Sequence, residues 1–272
     1  MNGPRAGVIG WPVEHSKSPL IHGYWLQQLG LAGSYEKIPV APGQLPEAMD
    51  RLRALGFAGA NVTLPHKEAA YELSTKLSVR AQKIGAVNTL VFQDDTIFGD
   101  CTDGVGFIDN LTSNAQNWQA SDGPALVLGA GGAARAIVWA LLDAGCPEVL
   151  IANRTLARAQ ELGHAFGAQA IGWVQIERHL PRAFTLVNTT SLGMNGQPPL
   201  ILNLGLCHAA CLVTDIVYTP LETPLLEQAR NCGLATVDGL GMLLHQAVPG
   251  FEAWFGKTPS VDAALRQRVL SE

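Results

Sequence analysis

Two rhythms of apolar residues alternate along the chain. Short apolar or β-branched runs occupy 5–10, 34–40 and 59–63, and between them, at 19–29 and 45–55, apolar side chains recur every three or four positions. Side chains alternate with period two along a strand and with a period near 3.6 along a helix, so this order predicts βαβ units on a parallel sheet. Gly30 and Gly56 stand where the two helices should stop. Two further helical segments and a strand pair, 86–92 and 96–99, complete the first half as one α/β domain.

Residues 114–124 are polar and end in Ser121-Asp122-Gly123-Pro124, which is turn chemistry and marks a boundary. A buried-strand run at 125–128 follows, then a glycine-rich turn and a helix to residue 144 with Gly145 behind it. Further strands are expected at 148–152, 185–188, 212–217 and 235–237, and a strongly helical stretch at 240–254. The expected architecture is α/β in two domains. Residues 1–113 form a substrate-binding domain, 114–239 form a Rossmann-like domain, and 240–272 return to complete the first.

The glycine turn carries the first chemistry. Gly129-Ala130-Gly131-Gly132-Ala133-Ala134 lies between a strand and a helix, the context in which backbone N–H groups and a helix N-terminus face a pyrophosphate. A merely tight βα turn is the plainer alternative, and the context disfavours it. The acidic residue that would hold a ribose 2′-hydroxyl at the end of the second strand is missing. Asn153, Arg154 and Thr155 stand there, with Arg158 a helical turn on. A guanidinium binds a 2′-phosphate that a carboxylate would repel. The expected cofactor is NADP(H), not NAD(H).

Bulk properties narrow the rest. A charged fraction of 15% with a net charge of −5 argues against nucleic-acid and membrane-surface partners, which need a dense cationic face. The first ten residues lack the charged leader and apolar core of a signal peptide. The five cysteines, at 101, 146, 207, 211 and 232, show no CxxC pair, and the seven histidines include no HExxH. Reduced thiols, no metal and a cytoplasmic location are expected.

Polar clusters stand where strands should end: Ser16-Lys17-Ser18-Pro19, Asn61-Val62-Thr63-Leu64-Pro65-His66-Lys67, Ala86-Val87-Asn88-Thr89 and Thr102-Asp103-Gly104. Each alone reads as a cap or turn. In this order, and continued by 188–194, 215–220 and 239–246, they resemble shikimate dehydrogenases over nearly the whole chain. The resemblance implies a substrate-binding first domain, a Rossmann-like second domain and a cleft between them. The activity it implies is NADPH-dependent reduction of 3-dehydroshikimate to shikimate, an oxidoreductase step of chorismate and aromatic amino acid biosynthesis.

Carried over by motif, Ser16, Ser18, Thr63, Lys67, Asn88, Asp103, Tyr218 and Gln246 contact the substrate. Lys67 and Asp103 form the catalytic pair. Hydroxyls suit a planar carboxylate, and the carboxamides of Asn88 and Gln246 suit two-way bonding to ring hydroxyls. The cofactor falls to Gly129, Ala130, Gly131, Gly132, Ala133, Asn153, Arg154, Thr155 and Arg158, with Ile216 and Gly239 near the nicotinamide. Val79 departs from the acidic residue common in relatives, so no ligand contact is expected there, and the variable Met194-Asn195-Gly196 receives no role. The expected partners are small molecules, with the chain a monomer or homodimer. The alternatives are a quinate/shikimate dehydrogenase of relaxed cofactor use and a non-catalytic NADP-binding relative.

Overall fold

A computed structural model describes residues 3–272. The chain divides into two compact units, one formed by the residues up to Thr102 together with Leu244–Glu272, the other by Asp103–Leu243.

In the first unit, β1 (Arg5–Gly10), α1 (Ser18–Gln28), β2 (Ser34–Pro39), α2 (Leu45–Ala54) and β3 (Phe57–Val62) form the expected βαβ succession. They are followed by α3 (Lys67–Leu73), the two-residue β4 (Lys76–Leu77), α4 (Val79–Ile84), β5 (Thr89–Gln93) and β6 (Thr96–Asp100). The sheet order is β2-β1-β3-β5-β6-β4. Strands β1, β2 and β3 run parallel, while β5 pairs antiparallel with both β3 and β6. Gly30 and Gly56 do end their helices, at φ +62° and +73°, in the left-handed region that only glycine enters cheaply.

The second unit starts earlier than the polar stretch at 114–124 suggests. Helix α5 (Asp103–Asn114) buries Phe107 and Leu111 in the same core as Val127 and Ile137. A Cβ on Gly104 would stand 2.8 Å from the Ala140 methyl, so the glycine allows close helix packing. The unit continues through β7 (Ala125–Leu128), α6 (Gly132–Asp143), β8 (Val149–Asn153), α7 (Leu156–Phe166), β9 (Gln169–Gly172), α8 (Ile176–His179) and β10 (Thr185–Asn188). It ends with β11 (Leu212–Asp215), α9 (Pro224–Asn231), β12 (Ala235–Val237) and the first four residues of α10 (Leu240–His245), whose last two are counted with the first unit.

Every pairing in the second sheet is parallel, in the order β12-β11-β10-β7-β8-β9. Period-two alternation sorts its side chains onto two faces. Ala125, Val127, Val149 and Ile151 join one core with α5 and α6, whereas Leu126, Leu128, Leu150 and Ala152 join another with α9. A strand buried on both faces reads as a continuous apolar run, as these do.

The stretch 240–254 is not one helix. It breaks after α10, and α11 (Val248–Phe255) starts anew with Pro249 in its first turn, where a missing N–H costs nothing. With α12 (Ala263–Leu270) it packs into the first unit. Trp254 donates its indole N–H to the Leu90 carbonyl at 2.9 Å, and Trp25 does the same to Ser260 at 2.9 Å. A Cβ on Gly59 would lie 2.1 Å from the Leu90 oxygen and 2.2 Å from the Trp254 nitrogen, so the strand is bare where the tryptophan approaches.

Beside this contact lies a buried histidine. The His22 ring stacks on Tyr35, centroids 3.9 Å apart and 7° from parallel, with Trp25, Phe251 and Trp254 around it. Neither ring nitrogen has a hydrogen-bond partner. Burial pulls its pKa down to about 3; the Asn61 side chain opposes this but makes no well-formed bond to the ring.

Candidate functional site

In the second unit the connections from β7 and β10 leave toward opposite edges of the sheet, which places the end of β7 at the reversal of strand order where such sheets hold ligands. Gly129, at φ +112°, turns the chain there. A Cβ on it would meet the Thr189 hydroxyl at 2.5 Å. Gly131 precedes α6 in extended backbone, and no side chain caps the helix. Nothing lies within 4 Å of a Cβ built on Gly131 or Gly132. The first amides of a twelve-residue helix thus face space kept open by two glycines, with half-buried Ala130 and Ala133 beside them. This fits a bound pyrophosphate.

At the end of β8, the Asn153 amide donates to the Thr155 carbonyl at 2.9 Å and shapes the turn into α7. Arg154 and Arg158 are both exposed, and among the described residues neither enters an ion pair. Two unpaired guanidinium groups beside an uncapped α7 N-terminus suit a second phosphate.

A buried carboxylate organises the ends of β10 and β11. Asp215 accepts from the Asn188 amide at 3.0 Å, the Val217 N–H at 3.0 Å and the Thr223 hydroxyl at 2.7 Å. Burial nonetheless raises its pKa, against the pull of these donors. The clamp holds the 215–218 loop, whose Ile216 N–H reaches the Asn188 carbonyl at 3.1 Å. Gly239 lies against the same backbone, since a Cβ there would be 2.5 Å from the Ile216 carbonyl carbon. Half-buried Tyr218 has its phenol pKa raised by desolvation.

In the first unit Ser16 accepts from the Ser18 N–H at 3.3 Å, joining the two serines at the start of α1. Thr63 follows β3 and is tied to β1 through its N–H to the Ile9 carbonyl at 2.9 Å. Lys67 is the first residue of α3, and its carbonyl accepts from the Val87 N–H at 2.9 Å, which brings the helix start next to Asn88. The Asn88 amide donates to the Gln246 side chain at 3.4 Å; the break between α10 and α11 puts Gln246 there. Asp103, 8% exposed, begins α5 and belongs to the second unit, whereas Lys67 belongs to the first. Val79 is 71% exposed.

One expectation changes. The Asn88 side-chain oxygen accepts from the Thr102 N–H at 2.8 Å, the Thr102 hydroxyl at 3.1 Å and the Thr89 hydroxyl at 3.0 Å. It is taken up inside the protein, so Asn88 is not a two-way partner for a ligand. The residues behind it, Asn61, Thr89 and Thr102, and likewise Asp215, have no role that the motifs name. Their signal was a polar side chain embedded in an apolar strand or at its end.

Three family models match: the shikimate dehydrogenase substrate binding domain over residues 8–90, shikimate/quinate 5-dehydrogenase over 111–192, and the shikimate 5′-dehydrogenase C-terminal domain over 239–267. A shikimate dehydrogenase (NADP(+)) of Rhodospirillum rubrum is 56% identical, the alignment covering 98% of this chain and 97% of that one. A structure of shikimate 5-dehydrogenase from Thermus thermophilus in complex with NADP(H) and shikimate superposes with a TM-score of 0.89 at 38% identity, covering 98% of this chain and 99% of the other. Quinate dehydrogenase of Corynebacterium glutamicum in complex with NAD gives a TM-score of 0.92 at 32% identity, with 100% of both chains covered. Matched across nearly its whole length in sequence and in fold, the chain belongs to the shikimate dehydrogenase family.

Proposed function

We propose that this chain catalyses the reversible NADPH-dependent reduction of 3-dehydroshikimate to shikimate, a step of chorismate and aromatic amino acid biosynthesis. The observation that carries the reading is the pair of unpaired arginines behind an open glycine turn, in a chain that keeps the family's Lys67 and Asp103. Curated relatives that are 50% or more identical over nearly the whole chain carry the name shikimate dehydrogenase (NADP(+)), which supports this reading.

NADPH, when bound, supplies the hydride that reduces the ring ketone. The residues of Gly129 to Ala133 would receive its pyrophosphate, and Arg154 and Arg158 its 2′-phosphate. Ile216 and Gly239 would flank the nicotinamide. The chain itself must provide a proton to the oxygen as it becomes an alkoxide and stabilise the charge that develops there. Lys67, as an ammonium, does both. Asp103 binds a neighbouring substrate hydroxyl and orients the reacting groups. Ser16, Ser18 and Tyr218 hold the carboxylate with hydroxyl donors, and Thr63, Asn88 and Gln246 bind the ring hydroxyls.

Arg154, where an NAD enzyme would carry an acid, weighs against the quinate and NAD reading. We infer a cytoplasmic location from the five unbridged cysteines. No helix among the described residues is long and apolar enough to cross a membrane, and no group of three or more His, Cys, Asp or Glu among them could hold a metal ion.

The test follows NADPH absorbance with 3-dehydroshikimate, and the reverse reaction with shikimate or quinate. Turnover with 3-dehydroshikimate and NADPH is expected, with Lys67→Ala losing roughly a hundredfold or more in kcat while KM changes little. A preference for quinate and NAD would overturn the substrate and cofactor assignment. Near-normal kcat with a badly raised KM in Lys67→Ala would make Lys67 a binding residue.

A further inference from the structure

Behind Asn88 lies a run of buried polar side chains in which the hydrogen bonds of the two carboxamides, Asn61 and Asn88, have fixed directions. Two main-chain groups anchor it. The Thr102 N–H can only donate, so the Asn88 atom facing it at 2.8 Å is the oxygen. The Asn88 carbonyl can only accept, so the Asn61 atom facing it at 3.2 Å is the amide nitrogen.

The remaining directions follow. Because the Asn61 nitrogen faces that carbonyl, its oxygen meets Tyr35, and the phenol must donate, at 2.6 Å. The Asn61 nitrogen also donates to the Thr89 hydroxyl at 3.1 Å. The proton of that hydroxyl goes to the Asn88 oxygen at 3.0 Å, a nearer acceptor than the Thr102 hydroxyl at 3.4 Å. The Thr102 hydroxyl donates to the Gln246 carbonyl at 2.8 Å, with the Asn88 oxygen a second acceptor at 3.1 Å. Asn61, Asn88, Thr89 and Thr102 are 5%, 3%, 2% and 0% exposed, so turning the Asn88 amide over would set a buried donor against the Thr102 N–H, and turning the Asn61 amide over would set a buried acceptor against the Asn88 carbonyl.

We propose that Thr102 and Thr89, backed by Asn61 and Tyr35, are positioning residues that lock the Asn88 carboxamide with its NH2 group toward the substrate side and, through Thr102, anchor Gln246 beside it. This rests on the functional reading above and deepens it. Asn88 then recognises a ring hydroxyl only through that hydroxyl's oxygen lone pair, and the hydroxyl's own proton must go to another acceptor. The lock is built wholly inside the first unit, so it acts on substrate affinity and leaves cofactor affinity alone.

The test uses Thr102→Val, Thr102→Ser, Thr89→Val and Thr89→Ser in the full chain, with steady-state kinetics for 3-dehydroshikimate and NADPH. Each valine variant keeps the shape and removes one O–H, so KM for 3-dehydroshikimate should rise roughly threefold to tenfold. The NADPH KM should hold and kcat should stay within about threefold, and the serine variants should recover wild-type values. If Thr102→Val does not fold, Thr89→Val, which leaves the Gln246 carbonyl bonded, decides alone. Active variants with an unmoved substrate KM would overturn the inference, as would an NADPH KM that moves equally or a serine variant that fails to recover. A wild type inactive with 3-dehydroshikimate sinks the functional reading and this inference together, whereas an active wild type with indifferent valine variants sinks only the inference.

Discussion

Replacing His22 with phenylalanine should change how the protein responds to acid. His22 is fully buried, stacked on Tyr35, and holds two ring nitrogens with no partner. Its pKa falls from an ordinary 6.5 to about 3 in the fold. Below pH 6.5 the unfolded chain therefore takes up a proton that the folded chain refuses, and stability drops as pH falls, with the loss ending near pH 3. One proton changes the unfolding free energy by about 1.4 kcal/mol per pH unit. Between pH 7 and pH 5 the loss owed to this residue is then about 2 kcal/mol, a large part of a typical domain's stability. Phenylalanine preserves the stack and has nothing to protonate. At pH 7 the variant should be as stable as the wild type or more so, because two unsatisfied nitrogens are gone. Urea unfolding at both pH values, read through the tryptophan fluorescence to which Trp25 and Trp254 contribute, measures the difference, and other titrating groups cancel between the two proteins. Parallel pH dependence in wild type and His22→Phe would refute the reasoning.

Two other outcomes are expected. Arg154→Ala should raise the KM for NADP roughly tenfold or more, the lower end for a charge-assisted bond given the exposure of the side chain, and leave the KM for NAD nearly unchanged; equal losses would show that Arg154 does not read the 2′-phosphate. Gly59→Ala should destabilise the first unit by roughly 1–3 kcal/mol, the usual range for overpacking, because its methyl would overlap the Leu90 oxygen and the Trp254 nitrogen; a melting temperature equal to that of the wild type would contradict that contact.

What the chain reveals unaided depends on how local the signal is. Strands β1, β7 and β10 fall where their apolar runs do, because a strand buried on both faces leaves no ambiguity of period. The edge strands β4 and β9 carry no comparable signal, since Lys76–Leu77 and Gln169–Gly172 are short and partly polar. Over 240–254 the apolar pattern runs through the break between α10 and α11, and only Pro249 marks the new first turn. The boundary at 114–124 followed polarity, whereas Phe107 and Leu111 already belong to the second core. In the site, motifs name Asn88 and Gln246 but not the bond between them, which joins positions 158 apart. Nor can they say which face of the Asn88 amide is occupied, since that depends on Thr102, fourteen residues away.

Because residues 244–272 complete the first unit, the order of synthesis is not the order of completion. On the ribosome all of Asp103–Leu243 emerges while the first unit still lacks α11 and α12, so the unit that begins the chain is the last able to become native. Until then the face of β3 and β5 that Trp254 covers, with the Leu90 carbonyl on it, stays exposed in the nascent chain. The interval lasts for the translation of about half the protein. Chaperone capture or misassociation during synthesis would act on that surface, and loss of the last thirty or so residues would cripple the first unit while leaving the second able to fold.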